Sequence, residues 1–182
     1  MACKIENGIL NTCEDLLRVG GAFQTFWVGF VSELAPPFVL TQVAPITSIS
    51  FEVYGGLRRF DGNKYAHSFG SELQVAAGGN KSFLHTFVAK LFSNSTDDDK
   101  VLQDLQVAID IFVVAQNNNQ ELFIIGPGNG LSASAGTQST GQTADSDTTE
   151  NVTLTGAERV KPLRFLATDY ATSLALIESY EI

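Results

Sequence analysis

The sequence predicts a mainly β fold, a β-sandwich or incomplete barrel with one α-helix packed on its flank and with extended arms and loops. Apolar runs of strand length, rich in Val, Ile and Phe, recur between clusters of Gly, Pro and Asn. One segment, Ser95–Ala108, instead repeats its apolar residues at helical spacing. The 182 residues, of which 44% are hydrophobic, are enough to bury the core of a single domain.

The first part of the chain is predicted to hold an arm and two strands. Met1–Gly21 shows little periodicity, and we interpret it as an extended or loosely docked N-terminal arm. Thr25–Val31 is aromatic and β-branched, which is typical of a strand. The Pro36-Pro37 pair then forms a loop. Ile46–Tyr54 alternates apolar and polar residues, and this pattern predicts a half-buried antiparallel strand.

Turn signals divide the next part of the chain. Asp61-Gly62-Asn63 predicts a hairpin between Leu57–Phe60 and Lys64–Phe69. Ser71–Ala76 continues in the style of a strand, and a glycine turn leads to Ser82–Phe92, the longest predicted strand. Because neither face of Ser82–Phe92 is simply polar, we expect this strand to be covered on both sides.

The predicted helix follows, with a clear start. Ser95 or Thr96 can accept a hydrogen bond from an N–H of the first turn, and Asp97–Asp99 lie where the helix dipole favours negative charge. An apolar stripe of this size requires a sheet to cover. The stripe consists of Val101, Leu102, Leu105, Ala108 and Ile109.

Strands are predicted again after the helix. Ile109–Ala115 is strongly β-branched, and the three asparagines Asn117–Asn119 turn it into a second strand, Glu121–Ile125. Gly126–Gly130 then closes this hairpin region.

The C-terminal third is predicted to begin with a loop. Ser132–Asn151 is rich in Ser, Thr, Gly and Ala, and without large apolar side chains it is expected to be a long exposed loop. Val152–Gly156 alternates as a strand does, and Leu163–Leu166 follows a proline as an edge strand. Thr172–Tyr180 fits either a short helix or a final strand.

The charge balance restricts the possible partners. With 11 basic and 20 acidic residues, the net charge is -9, so the chain lacks the basic surface of a nucleic-acid-binding protein. The same charge suits a surface that nucleic acid passes without binding, or simply a soluble protein. Charged residues make up only 17% of the chain, below the roughly 25% of an average domain. This deficit favours extensive contact between copies of the chain.

Cofactors and membrane insertion are not predicted. The apolar runs are too short for a transmembrane helix, and the residues after Met1 do not form a signal peptide. Cys3 and Cys13 are expected to be reduced thiols, with a disulfide between them as the alternative. Without histidines nearby, they make a metal site unexpected.

No catalytic, cofactor-binding or metal-ligating residue is predicted, and the chain is not expected to be an enzyme. His67 and His85 lie inside strand patterns and are interpreted as structural or surface residues. Gly126–Gly130 lacks the Lys-Ser/Thr of a phosphate-binding loop, and Asp145-Ser146-Asp147 lacks the remaining ligands of a calcium loop. Four basic residues either face solvent or meet acidic groups of a neighbouring subunit: Arg58, Arg59, Lys161 and Arg164.

Several segments occur in an order and spacing that resemble a known family. Ala2–Ile5 and Cys13–Asp15 precede Gly20-Gly21 and an aromatic strand. Later segments complete the pattern, namely Glu121–Leu131, Gly136, Thr140–Asp145 and Val152–Glu158. Over most of its length the chain thus resembles phage tail tube proteins, the small virion structural proteins of tailed phages and prophages of Bacteroidetes.

The resemblance implies a tail-tube-like β-sandwich with a flanking helix, forming homohexameric rings that stack into a hollow tube for DNA ejection. It implies a virion protein without a cofactor, assembled in the host cytoplasm, whose partners are its own copies and sheath, terminator and baseplate proteins. DNA would pass through without specific binding. We expect Ser132–Asn151 and Met1–Gly21 to form contacts between rings. The alternatives are a neck, tail-terminator or baseplate ring protein and, from another class, an adhesive β-sandwich binding module.

Overall fold

The computed structural model describes residues 21–35, 45–62, 66–92, 95–139 and 149–182. Within these ranges the chain forms nine strands, two α-helices and one 3-10 turn, Val31–Glu33. The strands are β1 Ala22–Phe30, β2 Arg58–Asp61, β3 Ser68–Val75, β4 Lys81–Phe92, β5 Ile111–Asn117, β6 Leu122–Ile125, β7 Ser132–Ser139, β8 Thr149–Glu158 and β9 Leu163–Phe165. The helices are α1 Thr96–Val107 and α2 Tyr170–Glu178.

The strands form two antiparallel sheets of a β-sandwich, which confirms the predicted fold class. One sheet has five strands in the order β2-β1-β5-β6-β9, and the other has four in the order β3-β4-β8-β7. Both predicted hairpin strands after the helix are present, since β5 pairs with β6 across the asparagine turn. The longest predicted strand is also confirmed as β4, but the expectation that it is covered on both sides is wrong, since only the face with His85, Phe87, Ala89 and Leu91 is buried.

The centre of the five-stranded sheet is buried on both faces. Ile111, Val113 and Ala115 of β5 join a core cluster with the four-stranded sheet and α1. The alternate residues Phe112 and Val114 join a second cluster on the opposite face. Burial on both sides explains why β5 is a continuous apolar run rather than an alternating one.

Helix α1 begins as the sequence predicts and covers the core side of β7. The Ser95 hydroxyl accepts a hydrogen bond from the Asp98 N–H at 3.1 Å. Leu102 and Leu105 are buried in the core cluster between the sheets. The predicted stripe is narrower than expected, because Val101 and Ile109 remain 48% and 67% exposed.

Helix α2 covers the outer face of the five-stranded sheet, and it resolves the ambiguity of Thr172–Tyr180 in favour of a helix. Ile177 is fully buried there with Trp27, whose indole N–H donates to Glu181 Oε1 at 2.7 Å. The fold therefore has two flanking helices, where the sequence predicts one.

The prediction of a strand at Ile46–Tyr54 is wrong. This segment forms only isolated bridges, between Ile46 and Phe165 and between Phe51 and Leu34. Ile49 is buried and Phe51 half-buried in the cluster over the five-stranded sheet, whereas Val53 is 80% exposed. The alternation reflects a segment that packs on the sheet with its apolar side, without pairing along its length.

The predicted hairpin around Asp61-Gly62-Asn63 is also wrong. Its two strands separate into different sheets, because β2 pairs with β1 whereas β3 pairs with β4. Phe60 stacks on Phe26 with ring centroids 5.3 Å apart, and Phe69 packs against Phe123 at 5.2 Å. These long-range contacts outweigh the local turn signal.

The predicted exposed loop Ser132–Asn151 is wrong at both ends. Residues Ser132–Ser139 form β7, and β8 already begins at Thr149. The small residues of β7 are explained by α1, since a side chain added at Gly136 would lie 3.1 Å from the Gln106 amide. Residues 140–148 and the arm before Gly21 lie outside the described residues.

Candidate assembly surface

Within the described residues, the four-stranded sheet ends in two long edges that pair with no further strand. Its edge strands β3 and β7 have eight residues each. Proteins usually protect such edges with lysine, proline or bulges. Strand β7 has no charged residue and no proline, although its register with β8 shifts between Ala133 and Ala135, and β3 has Glu72 as its one charged residue. The edge strands of the other sheet are short, with four residues in β2 and three in β9. The four-stranded sheet is therefore the better template for another strand.

The hydrogen-bonding groups at the β3 edge follow a regular alternation. The Ala76 N–H donates to the Asn80 carbonyl at 2.8 Å, so residues at even positions of β3 direct their backbone groups towards β4. Ser71 and Leu73, at odd positions, therefore direct theirs towards the open side. These groups are available to a strand from another molecule.

The β3–β4 hairpin projects from the body of the domain. Every residue in 70–81 is exposed. Leu73 and Val75 lie on the same side of β3 as Phe69, whose cross-strand partner Phe87 is in the core, but they are 51% and 59% exposed. The apolar face of the sheet thus extends beyond the part that the domain covers.

A groove separates α1 from β1 and β2. It has a volume of about 360 Å³, and its apolar lining includes Phe30, Phe60 and Val101. Arg58 lies at its end, with its guanidinium 4.9 Å from the Phe30 ring and 2.9 Å from Glu33. The pair is half-exposed, and the Arg58 hydrogen bond lowers the pKa of the Glu33 carboxyl.

Glu158 holds the Gly126–Gly130 turn from inside the domain. Its Oε1 accepts hydrogen bonds from the backbone N–H of Gly128 at 3.0 Å and of Asn129 at 2.8 Å. The carboxylate is buried, and within the described residues its Oε2 has no hydrogen-bond partner. Backbone N–H groups of a glycine-rich turn favour an anion, and here that anion is the chain's own side chain.

His85 anchors the other end of the same turn. Its Nδ1 accepts a hydrogen bond from the Gly126 N–H at 3.2 Å, and its Nε2 donates to the Val160 carbonyl at 2.8 Å. The side chain is fully buried, and burial lowers the pKa of its imidazole, although the bond to Val160 acts in the opposite direction. His85 is therefore a neutral structural residue with a defined tautomer.

His67 has the same role between the two sheets. Its Nε2 donates to the Gln24 carbonyl at 3.2 Å, and its Nδ1 accepts from the Lys90 N–H at 3.0 Å. The ring packs edge-on against Phe26, and burial lowers the pKa of its imidazole. Because both nitrogens have backbone partners, neither is placed for proton transfer.

The lowered pKa values of His67 and His85 predict that the protein loses stability in weak acid. Their pKa values in the folded chain lie below the ordinary 6.5 of the unfolded chain, so the unfolded state binds protons more readily. The contribution of the two histidines to the free energy of unfolding is complete above pH 6.5. It is lost as the pH falls below that value, by up to about 1.4 kcal/mol per pH unit for each histidine. Urea unfolding between pH 7 and pH 5 measures this slope.

The His67→Gln/His85→Gln double variant should show a shallower slope over the same range. Glu33 and Asp169 have lowered pKa values, so they change the stability only as the pH falls towards and below their ordinary pKa values of 4.5 and 3.8. A wild-type stability that stays constant from pH 7 to pH 5 would contradict the prediction.

The other charged candidates from the sequence do not form a site. Three arginines pair within the chain, in the pairs Arg58–Glu33, Arg59–Asp61 and Arg164–Glu121. Asp97–Asp99 lie exposed in the first turn of α1. In the described part of the chain, no group of His, Cys, Asp and Glu could hold a metal ion. Both cysteines and Asp145-Ser146-Asp147 lie outside the described ranges.

No family model, no curated protein and no solved structure matches the chain. None of the helices in the described ranges is long and apolar enough to cross a membrane. The features that bear on function are the two open edges of the four-stranded sheet, the projecting hairpin and the surface of α1.

Proposed function

We propose that the chain is the structural subunit of a phage tail tube, assembling into rings, hexameric as the resemblance implies, that stack into a hollow conduit for DNA. The observation that carries the proposal is the pair of long edges, β3 and β7, on one sheet, neither of which pairs with a further strand among the described residues. The protein acts without catalysis or a cofactor, as part of the virion.

The direction of the strands is compatible with a closed ring. The sheet has four strands, and each runs antiparallel to its neighbour, so β3 and β7 have opposite directions. Rotation about an axis along the strands places β3 of the next copy beside β7 in an antiparallel arrangement. Repeating this step pairs every open edge, which leaves a barrel without edges.

The outward face of the same sheet suits the wall of a channel. Its side chains are mainly hydroxyls and amides, among them Thr86, Asn151, Thr153 and Thr155. Lys90 and Glu72 contribute one charge of each sign. A surface with little positive charge makes few contacts to phosphates, so DNA can move past it.

The alternatives differ in their assembly state. A neck, terminator or baseplate protein would close the same edges into a ring but would not form tubes. An adhesive module would present exposed aromatic residues on its loops. Within the described residues, Tyr54 is the one large aromatic side chain that is largely exposed, at 94%.

Negative-stain electron microscopy of the purified protein over a range of concentrations tests the proposal. Long hollow tubes are the expected result. Isolated closed rings would instead indicate a neck, terminator or baseplate protein. A dispersed monomer at the highest concentration would overturn the proposal in favour of the adhesive module.

Ser71→Pro should abolish assembly and leave the subunit folded. Ser71 is exposed, and its N–H points to the open side of β3, so proline removes no bond to β4. Gly70, which precedes it, is the residue least hindered by a following proline. Electron microscopy and sedimentation measure assembly, and circular dichroism measures folding.

Ser71→Thr is the matched control, because it changes the same side chain but keeps the N–H. It should assemble like the wild type. Tubes formed by a folded Ser71→Pro variant would show that the β3 edge is not an assembly contact.

A further inference from the structure

We propose that rings of this protein stack head to tail through two ends of opposite charge, an inference that rests on the proposed tube assembly. The basic end is defined by Lys81, Arg159 and Lys161, and the acidic end by Asp97–Asp99 at the start of α1. The occupant of each end is a second copy of this chain, in the adjacent ring.

The basic end lies where β4 starts and β8 stops. Lys81 is the first residue of β4, and Arg159 directly follows Glu158, which pairs with Phe83. The Lys161 ammonium is 5.9 Å from the Phe83 ring. All three basic residues are exposed, whereas the Glu158 carboxylate is buried and directed into the domain. The exposed surface at this end is therefore basic.

The acidic end lies at the opposite limit of β4. Phe92 is the last residue of this strand, and α1 begins at Thr96. Asp97–Asp99 are exposed in the first turn of α1, and Asp98 lines a surface depression together with Phe92. Because β4 has twelve residues, each adding about 3.4 Å, roughly 37 Å separates the two ends.

The neighbouring charges leave this second end acidic. Arg59 and Asp61 line the same depression, and they pair with each other at 3.1 Å. Lys100 offsets only one of the three aspartates in Asp97–Asp99. The two ends of the sheet thus carry charges of opposite sign.

The ring geometry places these ends on opposite faces of each ring. Pairing of β3 with β7 by rotation about an axis along the strands keeps β4 of every copy in the same direction. Stacking along that axis brings the basic face of one ring onto the acidic face of the next, so opposite charges meet. The reverse arrangement places like charges together, which favours a single polarity along the tube.

Apolar surface at both ends adds to this contact. At the basic end, the projecting β3–β4 hairpin leaves Leu73 and Val75 51% and 59% exposed. At the acidic end, the groove between α1 and β2 is lined by Phe30, Phe60 and Val101. Stacking therefore removes apolar area from water on both rings in addition to joining opposite charges.

Electron microscopy of the Lys81→Glu/Lys161→Glu variant at low ionic strength tests the inference. The change makes the basic end acidic, so like charges meet where rings stack. We expect the variant to form closed rings but to require at least about tenfold more protein than the wild type to form tubes. Both side chains are exposed, and circular dichroism checks that the subunit is folded.

Lys90→Glu/Lys100→Glu is the matched control. It changes the net charge by the same amount, but it leaves the basic end intact and makes the other end more acidic. This variant should form tubes at the wild-type concentration or below. Equal tube formation by the two double variants would overturn the stacking inference and leave the tube proposal standing. Wild-type protein that forms no tubes would overturn both.

Zero-length carbodiimide cross-linking of wild-type tubes gives a second, independent measurement. We expect links from Lys81 or Lys161 to Asp97–Asp99, identified by mass spectrometry. Because these groups lie at opposite ends of the sheet and on opposite faces of the ring, such a link joins two stacked rings. Tubes in which these lysines link elsewhere, or not at all, would overturn the inference.

Discussion

Replacing Glu158 with alanine is expected to lower the free energy of unfolding by about 1–3 kcal/mol. The carboxylate is only 1% exposed and accepts the N–H groups of Gly128 and Asn129. Alanine removes this acceptor and leaves the turn without its internal anion. Urea unfolding at pH 7 measures the loss.

Two variants make the Glu158 result specific. Glu158→Gln keeps an acceptor oxygen of similar reach and should recover part of the loss. Glu178→Ala removes an exposed glutamate on α2 and should change the stability by less than about 0.5 kcal/mol. A Glu158→Ala variant within about 1 kcal/mol of the wild type would mean that water replaces the carboxylate at no cost.

Phe112→Ala should also cost about 3–5 kcal/mol of the free energy of unfolding. Phe112 is fully buried in the second core cluster, with the Phe51 ring 6.4 Å away. Its neighbour across the strands is Gly29, where an added Cβ would lie 2.6 Å from the Phe112 ring. Because Gly29 has no side chain to move, the cavity left by alanine stays largely empty.

A double-mutant cycle tests this explanation. Gly29→Ala alone should destabilise the chain, since its methyl group collides with the Phe112 ring. In the Phe112→Ala background the same change should cost clearly less, because the collision with the Phe112 ring is gone, although Leu57 Cδ2 still lies 3.0 Å from the methyl group. Equal effects of Gly29→Ala in both backgrounds would refute the account of this packing.

Local signals predict the centre of the chain well. The Ser95 cap, the aspartates after it and the apolar spacing define α1 within one residue of its observed start. The β5–β6 hairpin follows from two β-branched runs and an asparagine turn, in which Asn117 Oδ1 accepts N–H groups of Asn119 and Glu121. Each of these signals acts between residues that are close in sequence.

The errors occur where distant residues decide the structure. The Asp61-Gly62-Asn63 turn signal is overruled by pairing of β2 with β1 and of β3 with β4. The small residues of Ser132–Ser139 indicate a loop when the sequence is considered alone. In the structure this segment is a strand, and α1 packs closely against it at Gly136. Nothing near Gly126–Gly130 in the sequence identifies Glu158, some thirty residues later, as its partner.

The sequence by itself determined the class of fold, most of the strands and the position of α1, because periodicity and caps depend on a few neighbouring residues. Only the tertiary structure decided which strands share a sheet, and hence that β3 and β7 are left as long open edges beside a projecting hairpin. Strand order depends on contacts between residues far apart in the chain, and such contacts leave no local pattern. The candidate assembly surface is a consequence of that order.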